Sequence, residues 1–196
     1  FTFFGMLPFY LSGSIDTIAN AFFETMSGFT TTGATVLDDI ESLSHGMLFW
    51  RSLTQWIGGL GIVFFTIAIL PIFASGGVQL FSAESTGVTH DRTHPKINVM
   101  AKWLWTIYLI LTVTETILLM FGGMSLFDAI CQSFATTATG GYSTKQASIS
   151  YWNSPFTEYV IAVFMILSGM NFSLFLLCLR GKAGRFFKDE ELQKNV

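Results

Sequence analysis

Two apolar segments of this sequence, Thr17 to Phe29 and Ser125 to Thr137, are too short to cross a lipid bilayer, and each runs directly into a stretch that no helix would favour. At 1.5 Å per residue, each makes a helix of about 20 Å. Helix-start residues precede them, Ser14 and Asp16 in one case and Ser125 and Asp128 in the other. The stretches that follow are Thr30-Thr31-Thr32-Gly33-Ala34-Thr35 and Ala138-Thr139-Gly140-Gly141-Tyr142-Ser143. Non-helical backbone at membrane depth is tolerated only where protein buries it or where it lines a wet cavity. A half-length helix ending in such a stretch therefore reads as a re-entrant loop.

Longer apolar stretches surround these segments. Met47–Ala74, Val99–Gly122 and Phe156–Leu179 each reach the roughly 20 residues that a spanning helix needs. Phe1 to Leu11 is shorter and reads as the tail of a span, so the chain is expected to be a piece of a longer one. Composition points the same way: 51% of residues are hydrophobic and only 12% charged, with 21 Phe and 5 Trp. In soluble domains about a quarter of the residues are charged, and a soluble core of this size could not hide that apolar mass. A net charge of −3 leaves no basic footprint for nucleic acid. The two cysteines, Cys131 and Cys178, are far apart in apolar segments and suggest no disulfide framework.

Charge placement sets the topology. If the short helices dip in and return, Arg92, Lys96, Lys102, Arg180, Lys182, Arg185, Lys188 and Lys194 share one side, eight of the ten Lys and Arg. That side is cytoplasmic by the positive-inside rule, and both Thr/Gly loops lie outside. The chain also repeats. One constant shift along the sequence pairs Asn20-Ala21 with Asp128-Ala129 and Gly33 with Gly141. The repeated unit is span, short helix, loop, span, in one orientation, which suggests rotational pseudo-symmetry about the membrane normal. The expected fold is thus an all-α membrane protein of repeated span–re-entrant pore helix–span units. Residues 1–74 form a first repeat with its first span truncated, 75–98 a cytoplasmic connecting loop, 99–180 a second repeat and 181–196 a basic cytoplasmic tail.

An ion entering such a pore loses water and needs oxygens in return. Rings of backbone carbonyls supply them, with glycine wherever φ must be positive to aim a carbonyl inward. Gly33 and Gly141 stand where that need falls, and the adjacent Gly140 could share it. Thr31, Thr32, Ala34, Thr139 and Tyr142 complete the candidate ion-binding set. Both short helices point their C-termini, the negative ends of their dipoles, at these loops, which favours a cation. Asp16, Glu24, Asp38, Asp39 and Glu41 lie between residues 13 and 46 with no Lys or Arg among them, as in an acidic vestibule. Solvated loop carboxylates would leave the same pattern.

The strings from Ala21 to Thr35 (AFFETMSGFTTTGAT), from Trp50 to Gly61 (WRSLTQWIGGLG) and from Phe134 to Thr144 (FATTATGGYST) resemble the Trk/Ktr potassium-uptake family, its TrkH-type membrane subunit. The resemblance covers nearly the whole chain. It implies four span–pore–span repeats around one pore, of which this chain matches the second and third, with potassium as cargo and no cofactor. It further implies a homodimer in the bacterial inner membrane with a cytoplasmic nucleotide-binding regulatory subunit as partner.

The last span is interrupted at Ser168-Gly169-Met170-Asn171-Phe172-Ser173. Glycine is a weak helix former, and Asn and Ser compete for backbone hydrogen bonds. A gate at Ser168, Gly169, Met170 and Asn171 is one reading, and the resemblance implies an intramembrane gating loop at this place. A helix–helix contact through small residues is the other. His90 and His94 have a zinc-compatible spacing but no third ligand. Gly58-Gly59-Leu60-Gly61 follows no strand and reads as close packing of a span. Glu115, mid-membrane, either pairs with Arg51 or faces the protein interior, and Arg51 either snorkels or holds a filter loop by hydrogen bonds. A sodium-permeable relative and a non-conducting membrane scaffold are the competing functions; no nucleophile–base set suggests an enzyme.

Overall fold

A computed structural model of the chain describes residues 1–61 and 97–170, and every regular element in them is helical. Pro8, which has no N–H to donate, stands where the opening apolar stretch divides into α1 (Thr2–Gly5) and α2 (Leu7–Leu11). Helix α3 (Ile18–Phe29) begins at Thr17, whose hydroxyl accepts the N–H of Asn20 at 3.3 Å. Thr17, rather than the expected Ser14 or Asp16, is the cap, because it directly precedes the first turn and its hydroxyl reaches the free N–H there. Helix α4 runs from residue 45 through 61, with the Ser44 hydroxyl accepting from Met47 N–H at 3.4 Å. Next come α5 (Ile97–Phe121), α6 (Leu126–Thr137), a short 3-10 helix (Ser148–Trp152) and α7 (Pro155–Gly169). Ser125 caps α6 as expected: its hydroxyl accepts from Asp128 N–H at 3.1 Å and donates to the Asp128 carboxylate at 2.7 Å.

The two repeats correspond element by element. The shift that pairs Gly33 with Gly141 also pairs the caps Thr17 and Ser125, and it pairs Ala21 with Ala129, both fully buried where the short helices pack against their neighbours. In the second repeat α5, α6 and α7 all touch one another; in the first, α1 and α2 pack on α3. One apolar cluster gathers around Phe9, Ile15, Ile40 and Leu48, with Phe127 of α6 packed against it, and a second lies around Leu119, Met124 and Ile161.

Helix α5 exposes a broad apolar face while burying polar residues beside Leu104, Ile107 and Leu119. Leu109, Ile110, Val113, Ile117 and Met120 are exposed, while Thr112 and Glu115 are buried. Water as solvent would favour the reverse arrangement. Among the described residues, the segment Trp103–Phe121 is long and apolar enough to cross a membrane. The expected continuations of the spans through Ala74 and Leu179 lie outside the described residues. So do His90, His94, Cys178, Asn171 and most of the basic residues that set the expected topology.

Candidate functional site

Both short helices end in the same way. In α3, Thr31 N–H donates to Gly28 O and Thr32 N–H to Ser27 O, each at 2.9 Å; in α6, Thr139 N–H donates to Thr136 O at 2.9 Å and Gly140 N–H to Ala135 O at 2.8 Å. This is the double reverse hydrogen bond of a Schellman termination, which requires left-handed backbone at the residue after the cap. Thr31 and Thr139 supply it, at φ 54° and 55°. A β-branched residue there is strained by about 1–3 kcal/mol, and such strain persists only where surroundings impose it. Two residues further on, Gly33 and Gly141 also have positive φ, 78° and 86°. The extended segments that follow the two helices are thus built on one backbone template.

The segments meet. A β-carbon on Gly33 would collide with the carbonyl oxygen of Gly140. Gly140, expected to share the positive-φ role, has an ordinary φ of its own. It is glycine because a β-carbon there would run into the Gln55 carboxamide. Thr32, Ala34, Thr139 and Gly141 are exposed, but the carbonyl of Ala34 is turned into the chain, where it accepts from the Ser27 hydroxyl at 2.6 Å. Tyr142 is turned inward as well: its hydroxyl donates to Glu24 O at 2.9 Å and to Ala34 O at 3.2 Å.

Helix α4 backs both segments. Its Gly58 lies against the backbone of Phe29 and its Gly59 against Ala138 and the Tyr108 hydroxyl, so the glycine pair lets one helix approach the ends of both short helices. Close packing is thus the role of Gly58 and Gly59, while Gly61 has open space at its β-carbon position. Two turns before them, Arg51 is 2% exposed and Glu24 fully buried, with Nε–Oε1 at 2.7 Å. Arg51 Nη1 also donates to Ser143 O at 3.0 Å, and the guanidinium stacks over the Tyr142 ring, 3.7 Å from its centroid. Glu24 accepts in addition from the Thr35 hydroxyl and from Val36 N–H, each at 3.0 Å. One ion pair therefore ties the exits of both segments. Glu24 is a buried anchor rather than a vestibule charge, whereas Asp16, Asp38 and Asp39 are at least partly exposed and Glu41 pairs with Lys145 at 3.3 Å.

Arg51 takes Glu24 and the Ser143 carbonyl, so it neither snorkels nor pairs with Glu115. Glu115 faces the interior. It accepts from the Thr137 hydroxyl at 3.4 Å, and its second oxygen has no partner among the described residues. Helix α7 stops at Gly169, and Met170 is extended at ψ 151°, at the polar break noted in the sequence; the buried Ser168 hydroxyl is unpartnered among the described residues. The reading of the sequence alone missed Gln55 and the Glu24–Arg51 pairing. Two polar residues four apart on one face of an apolar span, Arg51 and Gln55, were the available signal.

The sequence matches the family model described as TrkH, cation transport protein, over residues 2–195. It is 47% identical over 192 residues to the Trk system potassium uptake protein TrkH of Escherichia coli strain K12, covering 96% of this chain and 40% of that protein. It is 42% identical to the TrkH protein of Halomonas elongata, over 96% of this chain and 40% of the relative. The fold matches the crystal structure of the potassium transporter TrkH from Vibrio parahaemolyticus with a TM-score of 0.82 and 36% identity, across 98% of this chain and 39% of that one. The chain thus spans about two fifths of the length of these relatives.

Proposed function

The chain belongs to the TrkH family of cation transport proteins, and from that premise we propose that it forms part of a potassium-conducting pore whose selectivity filter includes Thr31, Thr32, Gly33, Ala34, Thr139, Gly140, Gly141 and Tyr142. The observation that carries this reading is the paired backbone: a helix C-terminus, a left-handed Thr and a positive-φ Gly, repeated at the same spacing and pressed together at Gly33 and Gly140. A carbonyl lining replaces the hydration shell of a weakly hydrated cation, and the helix dipoles favour positive charge at that spot. Residues 1–74 and 99–180 are two span–pore–span repeats joined by a cytoplasmic loop, 75–98, with 181–196 a cytoplasmic tail. The remaining repeats close the ring. The relatives are named as parts of a Trk system, which supports a membrane subunit working with other components; the family resemblance further leads us to assign the chain to the inner membrane, in a homodimer that works with a cytoplasmic nucleotide-binding subunit.

Gly141→Ser in the intact protein is expected to relax discrimination between potassium and sodium. A β-carbon at Gly141 meets no atom within 4 Å, so the disturbance comes from its φ of 86°, not from crowding within this chain. Rubidium uptake as resistant to sodium as in the unmodified protein removes Gly141 from the filter. The gate is assigned to Ser168, Gly169, Met170 and Asn171, on the support of the helix end at Gly169. Deleting these four residues is expected to alter ion flux, and unchanged flux rules the gate out.

A further inference from the structure

We propose that Gln55 is a positioning residue for ion discrimination: it locks the peptide group between Gly141 and Tyr142 so that the Gly141 carbonyl faces the pore. The inference rests on the filter reading above. Gln55 is fully buried on α4, and its Oε1 accepts the N–H of Tyr142 at 3.2 Å. That bond fixes the amide orientation, since only the carboxamide oxygen can face a donor. The N–H of Tyr142 and the C=O of Gly141 belong to one planar trans peptide and point in opposite directions. Holding the N–H from behind, on the α4 side, directs the Gly141 oxygen away from α4, and Gly141 itself is exposed, with open space at its β-carbon position. Glycine at φ 86° gives this peptide unusual freedom to flip; the carboxamide removes it.

Two further observations support a specific role over general packing. The other end of the carboxamide, Nε2, lies 3.8 Å from the β-carbon position of Gly33 and has no partner among the described residues. A side chain kept for packing alone would carry no such donor, and an apolar replacement would in turn leave the Tyr142 N–H without its acceptor. Second, the repeat does not demand it. The helices after the two segments begin at residue 45 and at Pro155, two residues beyond the shift that pairs Gly33 with Gly141, and aligned on those starts Met165 takes the position of Gln55 and Ile161 that of Arg51. The span–helix–filter–span unit therefore folds with an apolar residue there, and the polar backing belongs to this junction between repeats.

The test is rubidium uptake by the intact protein in cells lacking their own potassium uptake, with sodium as competitor and membrane abundance measured alongside. Gln55→Leu is expected to lower the sodium inhibition constant relative to the rubidium KM by roughly three- to tenfold, the effect of one lost hydrogen bond. A purely structural role would lower abundance and maximal rate and leave that ratio unmoved, which overturns the proposal. If the Leu variant does not reach the membrane, Gln55→Asn, which withdraws the carboxamide by one methylene, is read in the same way. Gly141→Ser in the same assay separates the two ideas. A shifted ratio there with none at Gln55 overturns only the inference, and no shift in either overturns the filter reading with it.

Discussion

Arg51→Ala is expected to abolish uptake and to lower the thermal stability of the purified protein by the equivalent of about 3–5 kcal/mol, the usual cost of removing one partner from a buried ion pair. The remaining partner explains the size. Glu24 is fully buried, and without the guanidinium its carboxylate keeps only the Thr35 hydroxyl and the Val36 N–H as described partners. Ser143 O loses its donor and Tyr142 loses the cation over its ring at the same time. Arg51→Lys is not a rescue, because a single ammonium cannot reach a carboxylate and a carbonyl on two different segments in the planar geometry of a guanidinium. The pair should also behave as a unit. Glu24→Gln with Arg51→Met is expected to cost less than the sum of the single changes, measured as a double-mutant cycle on melting temperature. A wild-type melting curve and full uptake for Arg51→Ala would show that the pair anchors nothing.

Gly33→Ala is expected to be far more damaging than Gly141→Ala, although both glycines have positive φ and occupy equivalent places in the repeat. The left-handed backbone costs a non-glycine residue about 1–2 kcal/mol at either position. At Gly33 the new methyl also meets the Gly140 carbonyl oxygen, an atom of the neighbouring segment that no side-chain rotation can move aside. Overpacking of that kind adds about 1–3 kcal/mol and shifts backbone, here at the contact between the two segments. Gly33→Ala should therefore lose uptake and stability together, while Gly141→Ala should remain in the membrane, transport, and discriminate poorly. Equal losses in uptake and abundance for the two variants would mean that the contact between the segments contributes nothing.

The half-length helices were legible to within one residue at each end, because apolar runs, hydroxyl caps and the Thr/Gly stretches act through neighbours in the chain. The repeat, and with it the paired glycines, was legible because a single constant shift brings like onto like. The left-handed Thr31 and Thr139 were not. Propensity assigns that conformation to glycine, and only the packing around the helix ends imposes it on threonine. Gly140 illustrates the same limit: its residue type was noticed, but the reason for it is a carboxamide that comes from residue 55.

Hydrophobic length and local backbone preference alone dictate the plan: apolar stretches too long for a soluble core, two helices too short to cross, and a filter-like loop after each. How the two loops are held to each other is settled by contacts across the fold. Glu24 to Arg51, Arg51 to Ser143 and Gln55 to Tyr142 join residues distant in the chain, and nothing in the local pattern specifies which buried charge meets which carbonyl. In a low-dielectric interior an unpaired charge or amide is expensive, so that choice of partners fixes the carbonyl geometry that the loops by themselves only make possible.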